Sequence, residues 1–521
     1  MSMSGVAVPE THPLPQAEGP ATDRTGSTPN LPPGAGRLIA LLVGSAFVVI
    51  LNETIMSVAL PRLMEEFSIE ATTAQWITTA FLLTMAVVIP VTGYLMSRFT
   101  LRALFTVAMS VFTAGTLLAA LAPTFLVLVL ARVLQASGTA IMMPLLITTV
   151  LNVVPAERRG RMMGTISIVI SVAPAIGPTI SGVVLQQLSW RWMFWIVLPI
   201  AALALTLGRV WVRDLTTPVR VPLDAPSVVL SALGFAGFIY GLSSIGESAA
   251  GEALLPPWIP LSIGAVALVA FVWRQLRLRE RALLDLRAFS SRPFSVAVGL
   301  VVVAMMSLFG TLILLPILLQ GTLGLTTLQT GLVLLPGGAV MGLMAPLVGR
   351  AFDRVGPRPL VGPGAVLTSV ALWWMSTFGV GTTAGTVVAA HVTLSMGIAL
   401  MFTPLLTSAL GSLPQHLYSH GSAIVSTVQQ VAGAAGTALF ITVMTRGVAA
   451  AGGDGSPSAA AGATASGVQD AMLWGAVIST VAVLLSLAVR GGPGGTHDTQ
   501  RSDADVVASR DDHPVEVAQA G

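Results

Sequence analysis

Two ten-residue stretches of this chain decide how it folds. The first reads Gly93-Tyr-Leu-Met-Ser-Arg-Phe-Thr-Leu-Arg102, and the second, 256 positions later, reads Gly349-Arg-Ala-Phe-Asp-Arg-Val-Gly-Pro-Arg358. Each stretch follows a long apolar run, begins with glycine and carries arginine at the same two positions. Repetition over so long a distance predicts two similar halves of one protein, because it far exceeds the length of a solenoid repeat.

A second pair of segments repeats at nearly the same distance. Arg132 precedes Gly138 by six residues, and His391 precedes Gly397 by six residues. The alternative explanation is that small residues and arginines recur by chance, and two agreeing repeats argue against it. They pair apolar runs one to six with runs nine to fourteen and leave runs seven and eight as an insertion. Two six-helix halves around a central path are typical of membrane transporters.

The composition excludes a soluble protein. The 521 residues are 54% hydrophobic and 9% charged, with a mean hydropathy of +0.84, whereas soluble domains carry about 25% charged residues. All 26 basic residues are arginine, and cysteine is absent. Without cysteine there are no disulfides or thiolate metal sites, and without lysine there is no P-loop lysine or Schiff base. We therefore expect neither an enzyme nor a chain with a metal, nucleotide or other cofactor.

Apolar runs long enough to cross a ~30 Å hydrocarbon core recur throughout the chain between polar ends. The predicted fold class is an all-α polytopic membrane protein, with two pseudo-symmetric six-helix bundles plus two extra helices. The fourteen predicted spans are 38–60, 75–96, 103–121, 125–151, 162–186, 192–208, 226–245, 256–273, 294–319, 329–349, 359–379, 386–410, 423–445 and 471–489.

These spans divide the chain into five regions. They are a disordered N-terminal tail, an N-terminal six-helix bundle, two inserted helices with their loops, a C-terminal six-helix bundle and a disordered C-terminal tail. Their bounds are residues 1–37, 38–212, 213–293, 294–489 and 490–521.

The arginines predict the orientation of the chain. If the N-terminus is cytoplasmic, 22 of the 26 arginines lie in cytoplasmic loops or tails. The other four are Arg62, Arg132, Arg191 and Arg446. This bias follows the positive-inside rule. We expect a multi-pass protein of the cytoplasmic (plasma) membrane with both termini cytoplasmic. Its pI near 10.1 then reflects topology rather than nucleic-acid binding.

Two charged residues fall inside the predicted spans, Glu53 and Arg132. Charges in hydrocarbon cost about 2.5–3.5 kcal/mol on insertion scales, so they are rare and usually functional. A low dielectric disfavours the anion of a carboxyl group, which suits Glu53 to exchanging protons. The alternatives are a structural carboxylate paired with a neighbouring helix and a structural arginine bonded to carbonyl groups. The sequence leaves open whether the two residues meet.

Five motifs resemble those of the major facilitator superfamily, and within it the fourteen-span drug:proton antiporters. They are Leu51–Pro61 in span one, Gly93–Arg102 after span two, Leu130–Gly138 in span four, Ala173–Gly182 in span five and Trp190–Phe194 before span six. Glu53 preceded by Asn52 is most similar to the branch that includes multidrug and lincosamide exporters.

The resemblance implies a proton-coupled antiporter that exports drug-like amphipathic molecules by alternating access and gives antibiotic resistance. Its partners would be small molecules, protons and the lipid bilayer, without nucleic acid or nucleotide; the oligomeric state is not predicted. Proton coupling would rest on Glu53 and Arg132. The residues of a polar substrate cavity would be Asn52, Gln135 and His391, and those of the antiporter motif Pro174, Gly177, Pro178 and Gly182. The conformational loop residues would be Gly93, Arg98, Arg102, Gly349, Asp353, Arg354, Gly356 and Arg358.

The first loop copy departs from the family pattern at two positions. It has Ser97 where the family usually has aspartate and Thr100 where it usually has glycine, while the second copy keeps Asp353 and Gly356. The first loop therefore lacks the carboxylate of the family's usual carboxylate–arginine contact. Two other functions stay open: a dedicated exporter of one metabolite, such as an antibiotic or a siderophore, and a non-transporting membrane sensor or a channel.

Overall fold

The structure is a computed structural model. It describes residues 34–56, 59–69, 71–212, 214, 222–249, 255–451 and 457–489. The two predicted tails lie outside the described residues, except for residues 34–37, which lead into the first helix.

Within the described residues every long element is a helix, which confirms the all-α prediction. The fifteen α-helices are α1 (Ala35–Ile55), α2 (Leu60–Phe67), α3 (Ala71–Arg98), α4 (Leu101–Ala120), α5 (Phe125–Val153), α6 (Arg159–Gln187), α7 (Arg191–Trp211), α8 (Ala225–Ala249), α9 (Trp258–Leu278), α10 (Arg292–Ile317), α11 (Thr327–Val355), α12 (Arg358–Met375), α13 (Ala384–Gly411), α14 (Tyr418–Ala451) and α15 (Pro457–Ser486).

All of these helices except the eight-residue α2 have at least 18 residues. Twelve of them are long and apolar enough to cross a membrane, so the chain is a multi-pass membrane protein. Helices α6 and α12 are also long enough to cross a membrane, with 29 and 18 residues. Helix α12 begins with Arg358 and carries two prolines, which lower its mean hydropathy. The predicted count of fourteen spans is compatible with these helices and stays a prediction.

The first helix is shorter than the predicted span 38–60. Helix α1 ends at Ile55, and the chain then forms the short helix α2, which begins around Pro61 and carries Arg62, Glu65 and Glu66. Proline is favoured in the first turn of a helix, so its position marks a new start rather than a continuation. Glu53 therefore lies in the last turn of α1 and not deep within a longer span.

The helices form two six-helix halves. Helices α1 and α3–α7 make the N half, α10–α15 make the C half, and α8 and α9 pair as a hairpin. The halves meet mainly along two helix pairs, α6 with α11 and α3 with α14. The internal repeat exchanges these pairs, so we name them seam 1 (α6–α11) and seam 2 (α3–α14).

Alternating helices bring the arginine-bearing connections to one end of the bundle, which we call the arginine-rich face. It comprises the connections near residues 98–102, 154–159, 209–224, 279–292, 355–358 and 412–417. The opposite face comprises those near residues 56–71, 121–124, 188–190, 322–326 and 376–383.

Candidate functional site

A polar cluster lies inside the N half, where α1, α4 and α5 meet. The Arg132 side chain is 1% exposed and donates from Nη1 to Gln135 Oε1 at 3.0 Å and to the Asn52 carbonyl at 3.4 Å. Gln135 Nε2 donates to Thr116 Oγ1 at 2.9 Å, and Thr116 donates to the Phe112 carbonyl. Three of the predicted site residues, Asn52, Arg132 and Gln135, are thus joined in one hydrogen-bonded group.

An aromatic ring and a carboxylate complete the surroundings of Arg132. Its guanidinium lies over the Phe81 ring, 4.1 Å from the centroid, which stabilises a desolvated cation. Glu53 is half-buried and close enough to interact electrostatically with Arg132, without forming an ion pair with it. The two charges that the sequence singles out therefore share one electrostatic environment.

Several polar atoms of the cluster are buried without a hydrogen-bond partner. They are both side-chain polar atoms of Asn52 and the Nε of Arg132. Leaving a buried polar group unpaired costs about 1–3 kcal/mol. Such groups have capacity for a polar ligand or for new partners after a conformational change, and here they lie directly beside Glu53.

The antiporter motif packs against the turn of α1 that carries Glu53. A Cβ atom at Gly177 would lie 3.0 Å from Thr54 Cβ, and Ser181 donates a 2.8 Å hydrogen bond to the Ile55 carbonyl. Helix α6 continues through Pro174 and Pro178 without ending. Gly182 has open space around it. The antiporter motif therefore contacts a helix of its own half at Gly177, while other residues of α6 form seam 1.

His391 lies in the C half, apart from these contacts. It is 4% exposed and interacts with the main chain of Leu334 in α11, and its Nδ1 has no hydrogen-bond partner. A Cβ atom at Gly337 would lie 2.5 Å from its Nε2, so α11 and α13 approach closely here. The structure does not join His391 to Asn52 or Gln135, with which the prediction grouped it.

At seam 1 the C-half loop motif forms a charged contact between the halves. The Asp353 carboxylate accepts the backbone N–H of Gly160 and of Arg161, each at 2.8 Å. These are the second and third residues of α6, so the carboxylate lies at a helix N-terminus, where backbone N–H groups favour an anion. A Cβ atom at Gly349 would lie 2.9 Å from the Gly160 carbonyl carbon, so glycine is required for the close approach.

The same motif ends α11 with a left-handed residue. Gly356 has φ = 75° and follows Val355, and its N–H donates to the Phe352 carbonyl. Glycine adopts this conformation without steric cost, which explains its place in the motif. Arg354 lies in the last turn of α11 and Arg358 begins α12.

At the positions equivalent to Asp353 and Gly356, the N-half copy makes only local contacts. Ser97 donates to the carbonyl of Tyr94 at 2.8 Å, and Thr100 caps α4 by accepting the Ala103 N–H at 3.3 Å. Arg102 donates to the Arg209 carbonyl at 2.6 Å, and Arg98 ends α3. Ser97 therefore makes no cross-half bond of the kind that Asp353 makes.

Hydroxyl groups add contacts between the halves on the side of the arginine-rich face. Thr148 and Ser422 are joined at 2.7 Å, and Ser167 and Thr403 at 2.8 Å. Arg159 donates to Tyr418 Oη at 3.2 Å. The halves are therefore held together at this face.

On the opposite face, Glu66 ties α2 to the start of α7. It accepts from Arg191 at 2.5 Å and from Trp190 Nε1 at 2.7 Å. Burial raises the pKa of the Glu66 carboxyl, but hydrogen bonds from Arg191 and Trp190 outweigh it, so the pKa is lowered. Trp190 belongs to the segment that the sequence singled out before span six.

Sequence reasoning missed the partners that organise the site. Thr116, Phe81 and Gly160 carry no motif of their own. Thr116 was visible as a polar residue in an apolar run, but its pairing with Gln135 depends on the packing of α4 against α5.

Comparisons with known proteins agree with this architecture. The model of the Major Facilitator Superfamily matches residues 42–437. The lincomycin resistance protein LmrB of Listeria monocytogenes is 42% identical over 457 residues, covering 87% of this chain and 96% of that protein. LmrB of Bacillus subtilis is 40% identical, with 86% and 94% covered. A multidrug resistance protein B homolog of Mycobacterium tuberculosis is 31% identical, with 83% and 80% covered.

Two solved structures have a similar fold. The human organic anion transporter MFSD10 matches with a TM-score of 0.62 at 15% identity, covering 87% of this chain and 100% of that chain. The proton:xylose symporter XylE matches with a TM-score of 0.61 at 14% identity, covering 90% and 98%.

Proposed function

Because the chain belongs to the major facilitator superfamily, and is thus a transporter and not an enzyme, we propose that it is a proton-coupled antiporter. It exports drug-like amphipathic molecules by alternating access across the plasma membrane. The arginine-rich face and both termini are cytoplasmic, as the distribution of the arginines favours. The relatives named for lincomycin and multidrug resistance support this class of substrate.

The observation that carries the proposal is the position of Glu53 beside Arg132 in the N-half cluster. Ionised Glu53 compensates the buried guanidinium, and protonated Glu53 does not. Protonation therefore changes the partners that Arg132 needs, and the unpaired Asn52 amide and Arg132 Nε are the nearest groups able to re-pair. Proton occupancy thereby alters how α1 packs on α5.

The packing of α6 carries this change toward the other half. Gly177 and Ser181 of α6 rest on Thr54 and Ile55, the residues that follow Glu53. The same helix meets α11 at seam 1. A shift in the last turn of α1 is thus transmitted to the boundary between the halves, which is the displacement that alternating access requires.

The proton gradient supplies the energy. One proton is worth about 1.4 kcal/mol per pH unit and about 2.3 kcal/mol per 100 mV. Maintaining a tenfold concentration ratio of substrate across the membrane costs about 1.4 kcal/mol, so one proton can sustain a ratio of roughly a hundredfold.

The test measures drug-dependent proton flux with purified protein in proteoliposomes. We expect flux with the wild type and none with Glu53→Gln, while Glu66→Gln serves as the matched carboxylate control and retains flux. Full antiport by Glu53→Gln would refute the coupling role. A compound panel separates the open alternatives, because a single transported metabolite would indicate a dedicated exporter and no substrate-dependent flux would indicate a sensor.

A further inference from the structure

The segment that joins α9 to α10 is buried within the arginine-rich face. We call residues 282–288 the buried linker; Leu283 is 2% exposed and Asp285 is 4% exposed. Gln275 of α9 fixes the first residues of the linker by hydrogen bonds: its Oε1 accepts the N–H of Leu283 at 2.7 Å and of Leu284 at 3.3 Å. Connections normally run over the surface of a protein, so a buried one takes part in the packing.

The buried linker meets both halves at His420, in the first turn of α14. The His420 side chain interacts with the main chain of Leu283 and electrostatically with Asp285. On its other side lies α3 of the N half, where a Cβ atom at Gly93 would be 3.2 Å from His420 Nδ1. The linker, α14 and α3 therefore converge on one imidazole at seam 2.

Asp285 is held as an anion in this position. Burial raises the pKa of its carboxyl, but the hydrogen bonds and the positive charge of Arg287 outweigh burial and lower the pKa below its usual range. Arg287 Nη2 lies 2.7 Å from Asp285 Oδ2. The buried linker thus places a negative charge close to His420, where α14 and α3 meet.

The inserted hairpin rests on both sides of the same seam. Helix α8 packs against α3 of the N half and against α14 of the C half. Ser291, just after the buried linker, is joined to Ser412 of the C half at 2.8 Å. The insertion is therefore placed across seam 2 and not beside one half alone.

Seam 1 has a carboxylate, Asp353, where the repeat gives seam 2 only Ser97. We infer that Asp285 of the buried linker supplies seam 2 with the carboxylate that Ser97 lacks, so that the inserted hairpin closes seam 2 at the arginine-rich face. Asp285 is a positioning residue that acts through His420 on the contact between α14 and α3. The inference rests on the alternating-access part of the proposed function, since closure has meaning only if the face also opens.

The lack of cysteine makes a direct test possible. Ala423 of α14 is fully buried, and its Cβ faces Gly93 of α3, so Ala423→Cys is a single reporter of opening at seam 2. The measurement is the rate of its reaction with a water-soluble maleimide in the full chain, reconstituted in lipid nanodiscs. We expect Asp285→Asn to react about tenfold faster than the Ala423→Cys parent, a shift of about 1.4 kcal/mol in the closing equilibrium.

Two further variants identify the cause. Adding Ser97→Asp to Asp285→Asn should return the rate to within about twofold of the parent, because a carboxylate is restored by the other route. Asp224→Asn is the matched control: this carboxylate lies at the same face but pairs with Arg274 at 2.7 Å and should leave the rate unchanged.

The outcomes separate this inference from the proposed function. A parental rate for Asp285→Asn, alongside faster reaction of Asp353→Asn, would overturn the inference while keeping alternating access. No change in either variant, and none on adding substrate, would overturn alternating access at this face together with the inference. If Asp285→Asn fails to fold, Ser97→Asp alone should slow the reaction below the parental rate, and an unchanged rate would overturn the inference.

Discussion

The two halves share a helical plan but place their charges in opposite parts of it. The N half has Glu53 and Arg132 in its interior and an uncharged Ser97 in its loop copy. The C half has only His391 in the equivalent interior helix α13, which carries no acidic residue or arginine, and it has Asp353 in its loop copy. The repeat thus preserves the backbone plan, and in the proposed mechanism it divides two tasks, proton exchange within the N half and closure by the C half.

Removing the interior cation should have the largest effect. Arg132→Met leaves the buried Gln135 Oε1 and the Asn52 carbonyl without their shared donor and removes the cation near Glu53, so it should cost about 3 kcal/mol of stability. Thermal unfolding in detergent would show the loss, and proton-coupled flux should fall about a hundredfold. His391→Leu is the control in the C half. Equal losses for the two variants would contradict the division of tasks.

Removing the closing carboxylate should come next. Asp353→Asn weakens two charge-assisted hydrogen bonds to α6 and should shift the closing equilibrium by about 1.5 kcal/mol, or roughly tenfold. Maleimide labelling of Ser167→Cys, a buried position at Thr403, measures the opening. Ser97→Ala, the equivalent change in the N half, should leave labelling within about twofold of the parent, because Ser97 bonds only to its own helix.

The helix-capping residues of the two loop copies, Gly356 and Thr100, give a finer comparison. Gly356→Ala should cost about 1 kcal/mol because φ is positive there, and Thr100→Ala should cost about 1 kcal/mol because α4 loses its cap. The two losses have different origins. Gly356→Asn should recover none of the first loss, because φ = 75° with ψ = −172° is essentially restricted to glycine, whereas Thr100→Ser should recover most of the second, as read from melting temperatures. Recovery by Gly356→Asn, or failure of Thr100→Ser, would show that the backbone assignments of the two copies are wrong.

The smallest effect concerns the connections on the opposite face. The link between α1 and α3 carries Glu66, whose pKa is lowered by Arg191 and Trp190, whereas the link between α10 and α11 has no charged residue. A lowered pKa stabilises the fold above the unfolded value of about 4.3, and this contribution disappears as the pH falls through the folded pKa. Glu66→Gln should therefore lower the free energy of unfolding at pH 7 by about 0.5 kcal/mol, the size expected for a half-exposed pair. The melting temperature at pH 7 should fall accordingly. The exposed Glu65→Gln is the control, and a difference that does not shrink as the pH falls below the unfolded value would contradict this origin.

The sequence predicted the fold well because hydropathy and the internal repeat are properties of the backbone plan. It also singled out Arg132, which the structure buries, since a charge in an apolar run stands out. It did not place Glu53 correctly along α1, because the end of that helix depends on the new start at Pro61. Nor did it reveal that Asp285 and His420 meet, since they are 135 positions apart in sequence and only the packing of the insertion brings them together.

The two-sided packing of α6 has a consequence for how the protein is made. Small residues let it approach α1 on one side and α11 on the other. Association of membrane helices depends on such close packing, because lipid tails are as apolar as the helices themselves. During synthesis α1 is already present when α6 emerges, but α11 follows more than a hundred residues later. The N half alone therefore gives α6 one of its two packing partners, and the packing of α6 is completed only after the C half has been made.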